Sequence, residues 1–491
     1  MKALDRAREA LETGALDQDV GAPYAATILR ARRRHGLPTD PGALLHRWSQ
    51  FHPGSPIGEV RYRWPLTHKR VRPLAGAPQD WQPWRPLDST RLEDPFDLEA
   101  TLSLPAVICD AGELLLELSE EGDLEASALF QEAVSVMRRD FASFVRATSA
   151  WVDTFALWCL TRRPRMFAAL QPLALAIAST YAATAIGTNG IVLGTRFPIF
   201  EVPLVSASAH LAGALLALGV ELELVVKLCE FVARSARPDG DWIDHAQHID
   251  LLTTLAAADL LSHVDPSFDA EKVARFFASK QAPDGTWTVL GPETPWLTAS
   301  IAEWLEAMER PFADRFRWPH LPLANRDHKT ELPFFAWFEQ TARLLSEMPG
   351  LAAARTDLAF IDLAGFRAFN NAFGQDRGDL VLRAFAQEIA ALPGARAVRD
   401  GGDEFLVIGA PTKEGLDAQL QAMAQAWPAR FHARFGEGVP PVAPRILVGT
   451  TSGGSLRRAR EILGREIGSL KELSRTPPPE GILRTLIIPP G

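Results

Sequence analysis

The sequence predicts a multidomain chain in which an all-α domain precedes an α/β domain, and three observations carry that reading. The chain has 491 residues, enough for two or three domains with separate cores. Between 96 and 312 apolar residues recur at three- and four-residue spacing, as at 130–145, 151–160 and 210–218, the periodicity of packed helices. Beyond a charged, Pro-containing joint at 312–322 the pattern becomes helix, strand, helix, hairpin, helix, strand, helix, strand. The expected division is an N-terminal arm of mixed structure at 1–95, packed on a helical domain at 96–312, and an α/β domain at 313–491.

Composition narrows the function classes. The formal net charge is −9, which argues against a general attraction to nucleic acid or anionic lipid. Any bound phosphate must therefore be held by a local cluster of Lys, Arg and backbone N–H groups. Cys109, Cys159 and Cys229 are widely spaced and form no metal-ligand pattern, and a reducing cytoplasm is their simplest setting. The first residues run straight into a charged helical pattern rather than a signal peptide. Residues 166–195 and 202–220 carry no charge and are long enough to span a bilayer. The first includes Gln171, Pro172, Ser179, Thr180, Tyr181 and Asn189, and the second Pro203, Ser206, Ser208 and His210. Both are read as buried helices of a large helical domain, so no membrane span is expected.

The arm combines helical patterns at 3–12 and 25–34 with a Pro- and Trp-rich stretch at 64–87, and no chemistry attaches to it. The helical domain contains an internal repeat. Phe231-Val-Ala-Arg-Ser-Ala-Arg-Pro-Asp-Gly-Asp-Trp242 is echoed by Phe276-Phe-Ala-Ser-Lys-Gln-Ala-Pro-Asp-Gly-Thr-Trp287, with the tryptophans 45 residues apart. Pro-Asp-Gly is a turn signal in which Gly supplies a positive φ, and the following Trp can fold back onto the helix just finished. This unit resembles the repeat of prenyltransferases and squalene/terpene cyclases, whose helix pairs close into an α/α toroid. The resemblance implies a toroid for sensing or assembly, with an apolar or isoprenoid ligand as a candidate occupant. The acid motif of terpene cyclases is absent, and Asp239 and Asp241 are explained by the turn. Asp250, Cys229 and His248 lack the spacing of the prenyltransferase zinc ligands.

The α/β domain carries the chemistry. Residues 395–399 and 405–408 are strand-like runs joined by Asp400-Gly401-Gly402-Asp403, a tight hairpin signal. Its tip holds Asp403 and Glu404 beside glycines that let a ligand approach the backbone. Upstream, Leu358-Ala-Phe-Ile-Asp362 is a buried-type strand ending in a carboxylate. Three carboxylates so placed supply hard oxygen ligands for a divalent metal whose shell phosphates complete. Gly365-Phe366-Arg367 opens a helical stretch whose backbone N–H groups, with Arg367, suit phosphates.

Asp362-Leu-Ala-Gly-Phe-Arg-Ala-Phe-Asn370-Asn371, Phe373-Gly374, Gly378-Asp379 and Arg399-Asp-Gly-Gly-Asp-Glu-Phe405 follow one another in the order of the GGDEF diguanylate cyclase signature. Leu321-Pro-Leu-Ala-Asn-Arg326 resembles the opening turn of that family, and Lys471 and Arg475 match its last basic pair. The resemblance covers roughly residues 316–491. It implies a palm-like α/β fold with a mainly antiparallel sheet, and a cytoplasmic enzyme that condenses two GTP into cyclic di-GMP as a homodimer with Mg²⁺ or Mn²⁺. Asp362, the Leu363 carbonyl, Asp403 and Glu404 would hold metal. Asn370 and Asp379 would read guanine, since a carboxylate accepts from both N1–H and N2–H. Phe366, Arg367, Gly401, Gly402, Lys471 and Arg475 would contact the nucleotide, and Arg399 would act with Asp403 and Glu404 in catalysis.

The bland alternatives are a solvated helix face for Lys471 and Arg475, and a helix N-cap before 380–392 for Asp379. Ala364, Asn371, Gln375 and Arg367 depart from common family residues (Asp, Asp, His and Lys). Leu392-Pro-Gly-Ala395 replaces the RxxD product site, so feedback through that site should be absent. Competing readings are a catalytically silent receptor for GTP or a cyclic dinucleotide, a terpenoid-processing toroid with a regulatory GGDEF domain, and a mixed dinucleotide product.

Overall fold

The computed structural model describes residues 2–12, 61–64, 67–70, 150–187, 190–192, 204–244, 250–287, 295–319, 326–473 and 482–488, with isolated helical positions between 109 and 131. The expected helix at 25–34 and the Pro- and Trp-rich stretch beyond 70 lie outside the described residues. The chain divides into two compact units. One comprises Met1–Ala217, Lys227–Leu261 and Asp269–Glu309, and the other Leu218–Val226, Ser262–Phe268 and Arg310–Gly491.

Among its described residues the first unit is helical apart from a hairpin of β1 (Arg61–Trp64) and β2 (Thr67–Arg70). Its helices are α1 (Lys2–Glu12), α2 (Ala150–Thr161), α3 (Pro164–Gly187), α4 (Val205–Leu218), most of α5 (Leu222–Arg234) and α6 (Asp250–Val264), then α7 (Ala270–Lys280) and α8 (Pro295–Met308). The two repeat turns are built alike. Gly240 and Gly285 have φ of +84° and +87°, and each closes a turn by donating its N–H to Arg237 and Ala282 respectively. The Trp242 indole donates to the Val232 carbonyl at 2.7 Å, and the Trp287 indole to the Phe277 carbonyl at 2.8 Å. Thr254 and Thr298, from the next helices, accept the tryptophan backbone N–H groups at 3.0 and 2.9 Å. Each ring thus folds back onto the helix before the turn, as the sequence suggested, while the tryptophan backbone ties the turn to the helix after it. A closed toroid is not shown among the described residues.

The core of this unit is partly polar. The Trp158 indole donates to Asp259 Oδ2 at 3.1 Å, and His210 packs against the rings of Phe155 and Trp158. Burial pushes the His210 pKa down to about 3, against the pull of Asp259, so the imidazole is neutral. Asp244 caps α4 from a distance, Oδ1 accepting from the Val205 N–H at 2.6 Å. Among the described residues one helix is long and apolar enough to cross a membrane, Pro164–Ile186 in α3, with mean hydropathy 1.4. Met166, Leu170, Ala174, Ile177, Ala178, Ala182 and Ala185 are buried along one side of it, while Leu175 and Ile186 are exposed.

The second unit follows the expected element order. After α9 (Phe312–Arg315) come α10 (Phe335–Glu347), α11 (Pro349–Ala353), β3 (Arg355–Ala364), α12 (Phe366–Phe373), α13 (Gln375–Ala390), β4 (Ala395–Gly401), β5 (Glu404–Gly409), α14 (Leu416–Phe435), β6 (Ala443–Ser452), α15 (Leu456–Leu473) and β7 (Ile482–Ile487). The sheet order is β4-β5-β3-β6-β7. β3 is buried on both faces. Ala359, Ile361 and Leu363 join a core with Phe369, Phe385, Trp427 and Phe431 of α12, α13 and α14. The opposite face meets α15, where a Cβ placed on Gly464 would lie 3.4 Å from the Phe360 ring. The sheet is mixed rather than simply antiparallel. β3 pairs antiparallel with β5 and β6, and β4 with β5, but β7 runs parallel to β6. The reason is connectivity: α15 carries the chain back across the sheet, and a helical crossover returns a parallel strand.

Candidate nucleotide and metal site

Strand register assembles the acidic end of the sheet. Asp362 pairs with Glu404 on β5 and with Arg445 on β6, so the three side chains lie side by side on one face. That face is the one covered by α15, whose last turn brings in Lys471. Lys471 Nζ donates to Asp362 Oδ1 at 2.7 Å and to Glu404 Oε1 at 2.8 Å. Arg445 Nη1 donates to Asp362 Oδ2 at 3.1 Å, with both side chains buried. Between β4 and β5 the chain turns through Gly402 and Asp403, with Gly402 at φ +46°. The Asp403 carbonyl accepts the Leu363 N–H at 3.2 Å, fixing the tip against the end of β3. A Cβ on Gly401 or Gly402 would meet nothing within 4 Å, so the hairpin backbone is open to a ligand.

Charge on this cluster is held under tension. Burial first, and then the neighbouring Asp362, push the Asp403 carboxyl above its usual range. Burial works against the Lys471 ammonium, but its hydrogen bonds to Asp362 and Glu404 outweigh that and raise its pKa. Burial likewise lowers the Arg399 pKa, opposed by Asp327, Asp403 and Asp379. The Arg399 guanidinium lies 4.7 Å from the Phe405 ring centroid, and its Nη1 is buried without a hydrogen-bond partner among the described residues.

Beside the cluster lies a second group. Gly365, in the left-handed region, opens α12, with Arg367 exposed and Phe366 packed into the core. The Asn370 Oδ1 is buried and without a hydrogen-bond partner among the described residues. A Cβ on Gly378 would fall within van der Waals overlap of that oxygen, so only glycine leaves room for it. Asp379, next in the chain, accepts from Lys329 Nζ at 2.9 Å. The N-cap reading of Asp379 is corrected: α13 begins at Gln375 behind Gly374, placing Asp379 inside the helix, where its carboxylate is not needed by the helix end. Gly378→Ala should displace Asn370 and, if the site takes GTP as the sequence resemblance implies, weaken that binding about tenfold, the scale of one lost polar contact. Calorimetric titration of folded protein checks this, with circular dichroism confirming the helix content.

The structure therefore gathers Asp362, Leu363, Asp403, Glu404 and Lys471 at one place, with Asn370 and Asp379 adjacent in α12 and α13. Arg475 and the turn at 321–325 lie outside the described residues. Sequence reasoning did not single out Arg445, Lys329 or Asp327. Arg445 had a readable signal, a single charge inside the apolar run Ile446-Leu-Val448 and its flanks, since buried charges require partners. Lys329 lies in the turn at 328–330 and Asp327 opens it, and neither carries such a pattern.

Residues 324–463 match the family model described as diguanylate cyclase, GGDEF domain. That stretch is a GGDEF domain. Several solved structures are similar to it. The GGDEF domain of DgcB from Caulobacter crescentus, in complex with c-di-GMP, is 23% identical, with 34% of this chain and 98% of that one covered at a TM-score of 0.27. The diguanylate cyclase SiaD from Pseudomonas aeruginosa, in complex with its activator SiaC, is 18% identical, with 44% and 71% covered at 0.28. A GGDEF-only form of PA1120 (TpbB or YfiN), also from Pseudomonas aeruginosa, is 24% identical, with 33% and 93% covered at 0.25. A comparison with curated proteins found no match.

The donor set of the GGDEF domain fits a hard divalent cation. Asp362, Asp403 and Glu404 present oxygens only, and the Lys471 ammonium between two of them shows that the position attracts positive charge. Among the described residues no group of three or more acidic, His or Cys side chains forms a ready metal cage. An incomplete protein shell suits Mg²⁺, which keeps waters and takes phosphate oxygens alongside one or two carboxylates.

Proposed function

We propose that the GGDEF domain is a diguanylate cyclase that condenses two GTP into cyclic di-GMP. The observation that carries this reading is the register pairing of Asp362 with Glu404 beside the Asp403 tip. It sets two carboxylates side by side, next to a hairpin tip whose glycine backbone is open to a triphosphate. Asp362, Asp403, Glu404 and the Leu363 carbonyl would hold Mg²⁺ or Mn²⁺, which when bound neutralises the phosphates and polarises the α-phosphorus. The unpartnered Asn370 oxygen and the Asp379 carboxylate accept guanine N–H groups, which adenine does not offer in that pattern. The α12 N-terminus and Arg367 bind phosphates, and Arg399 and Lys471 balance charge that grows in the transition state.

The reaction balances without another reactant. Each 3′-oxygen forms a bond to the α-phosphorus of the other GTP, each pyrophosphate leaves, and Glu404 would assist by taking a hydroxyl proton. Each domain binds one GTP, so two protomers face each other and their alignment controls the rate. The helical unit serves to set that alignment. Arg445 and Lys471 on both Asp362 oxygens favour one alternative, a receptor that holds GTP without turning it over. Pyrophosphate release separates the two readings. GTP should yield pyrophosphate, ATP should not, and specific activity should climb with protein concentration. GTP that binds without releasing pyrophosphate would remove the cyclase reading.

A further inference from the structure

The two cations on Asp362 are not equivalent. Arg445 stands near the start of β6, is 7% exposed, and is fixed opposite Asp362 by strand register. Lys471 stands in the last turn of α15, is 36% exposed, and spans from Asp362 to Glu404, itself 34% exposed. An ammonium is a compact charge on a flexible stem, whereas a buried guanidinium is held by its planar fork. A single positive centre at 2.7 and 2.8 Å from two carboxylate oxygens takes the role that a hard cation takes in such a pair.

We propose that Lys471 is a built-in cation that holds Asp362 and Glu404 in the nucleotide-free protein and that an incoming divalent metal displaces, while Arg445 remains on Asp362 and leaves Oδ1 as its exchangeable oxygen. The inference rests on the metal-nucleotide reading of this site. Its consequence is a coupling between ligands. Metal alone must break two ion pairs and leave an ammonium without an anion, so it binds weakly. A triphosphate arriving with the metal gives the displaced ammonium new oxygens, so metal and GTP each strengthen the other's binding, reciprocally. Lys471 thereby guards the carboxylates against metal in the absence of nucleotide.

The test is Mn²⁺ titrated into the full chain without nucleotide, with free Mn²⁺ read by electron paramagnetic resonance. Lys471→Met and Lys471→Gln should each bind Mn²⁺ on the order of tenfold tighter than wild type, because a like charge at ion-pair distance has gone. Lys471→Arg should stay near wild type. In the Met and Gln variants the enhancement of Mn²⁺ binding by GTP should shrink. Unchanged or weaker Mn²⁺ binding in both neutral variants, with thermal unfolding confirming that they fold, overturns the proposal. The readout needs no turnover. Tighter Mn²⁺ binding in the two variants beside a wild type that makes no cyclic di-GMP would support the proposal and remove the cyclase, and product from the wild type with unchanged Mn²⁺ binding in the variants would do the reverse.

Discussion

Asp403→Asn should lower cyclic di-GMP formation by about three orders of magnitude, the scale expected when a metal-holding carboxylate is lost. The hairpin itself should survive, because the contact that fixes it uses the Asp403 backbone carbonyl and the Leu363 N–H, not the side chain. The carboxyl is also a source of tension, its charged form disfavoured by burial and by Asp362. A neutral amide of the same shape relieves that tension. The thermal midpoint should therefore stay level or rise while activity disappears, a combination that a purely structural residue would not give. Product quantification by chromatography, paired with a thermal melt, checks both halves. A variant that keeps its rate, or loses rate and fold together, would contradict the assignment.

Trp427→Ala should destabilise the GGDEF domain by about 3–5 kcal/mol, the usual cost of emptying a large aromatic site in a core. Trp427 is 2% exposed, and its indole donates to the Val442 carbonyl at 2.6 Å, tying α14 to the chain entering β6. Its ring meets Phe385 at 5.1 Å and Phe431 at 5.9 Å in edge-on geometry. Truncation removes this packing and leaves a buried carbonyl without its donor. Trp427→Phe, which keeps most of the volume, should cost about 1–2 kcal/mol through the lost hydrogen bond. Denaturant titration of the domain's transition measures both, and a loss below about 1 kcal/mol for the alanine variant would show that the site collapses around the gap.

Much of this arrangement was legible in residues. The run Leu358-Ala-Phe-Ile-Asp362 reads as a buried strand with a polar end, and the Asp-Gly-Gly-Asp turn reads as a hairpin, because both signals are local. The repeat turns were legible for the same reason, down to Trp242 and Trp287 folding back on the helices before them. What escaped was set by register between distant strands. Arg445 lies 83 residues from Asp362, and only the pairing of β3 with β6 reveals that it faces that carboxylate. The bridging position of Lys471 depends likewise on how close α15 comes to the sheet. The alternative reading of Asp379 as a helix cap fails because the helix begins at Gln375 behind Gly374, about one turn earlier. The parallel β7 was hidden because a short apolar strand carries no mark of its direction.

The most direct measurement is mass spectrometry of the full chain incubated with GTP and Mg²⁺, alongside the Asp403→Asn variant. The account predicts cyclic di-GMP from the wild type and intact GTP from the variant. GTP recovered unchanged from both, in a protein that demonstrably binds it, would contradict the cyclase and leave a GTP receptor in its place.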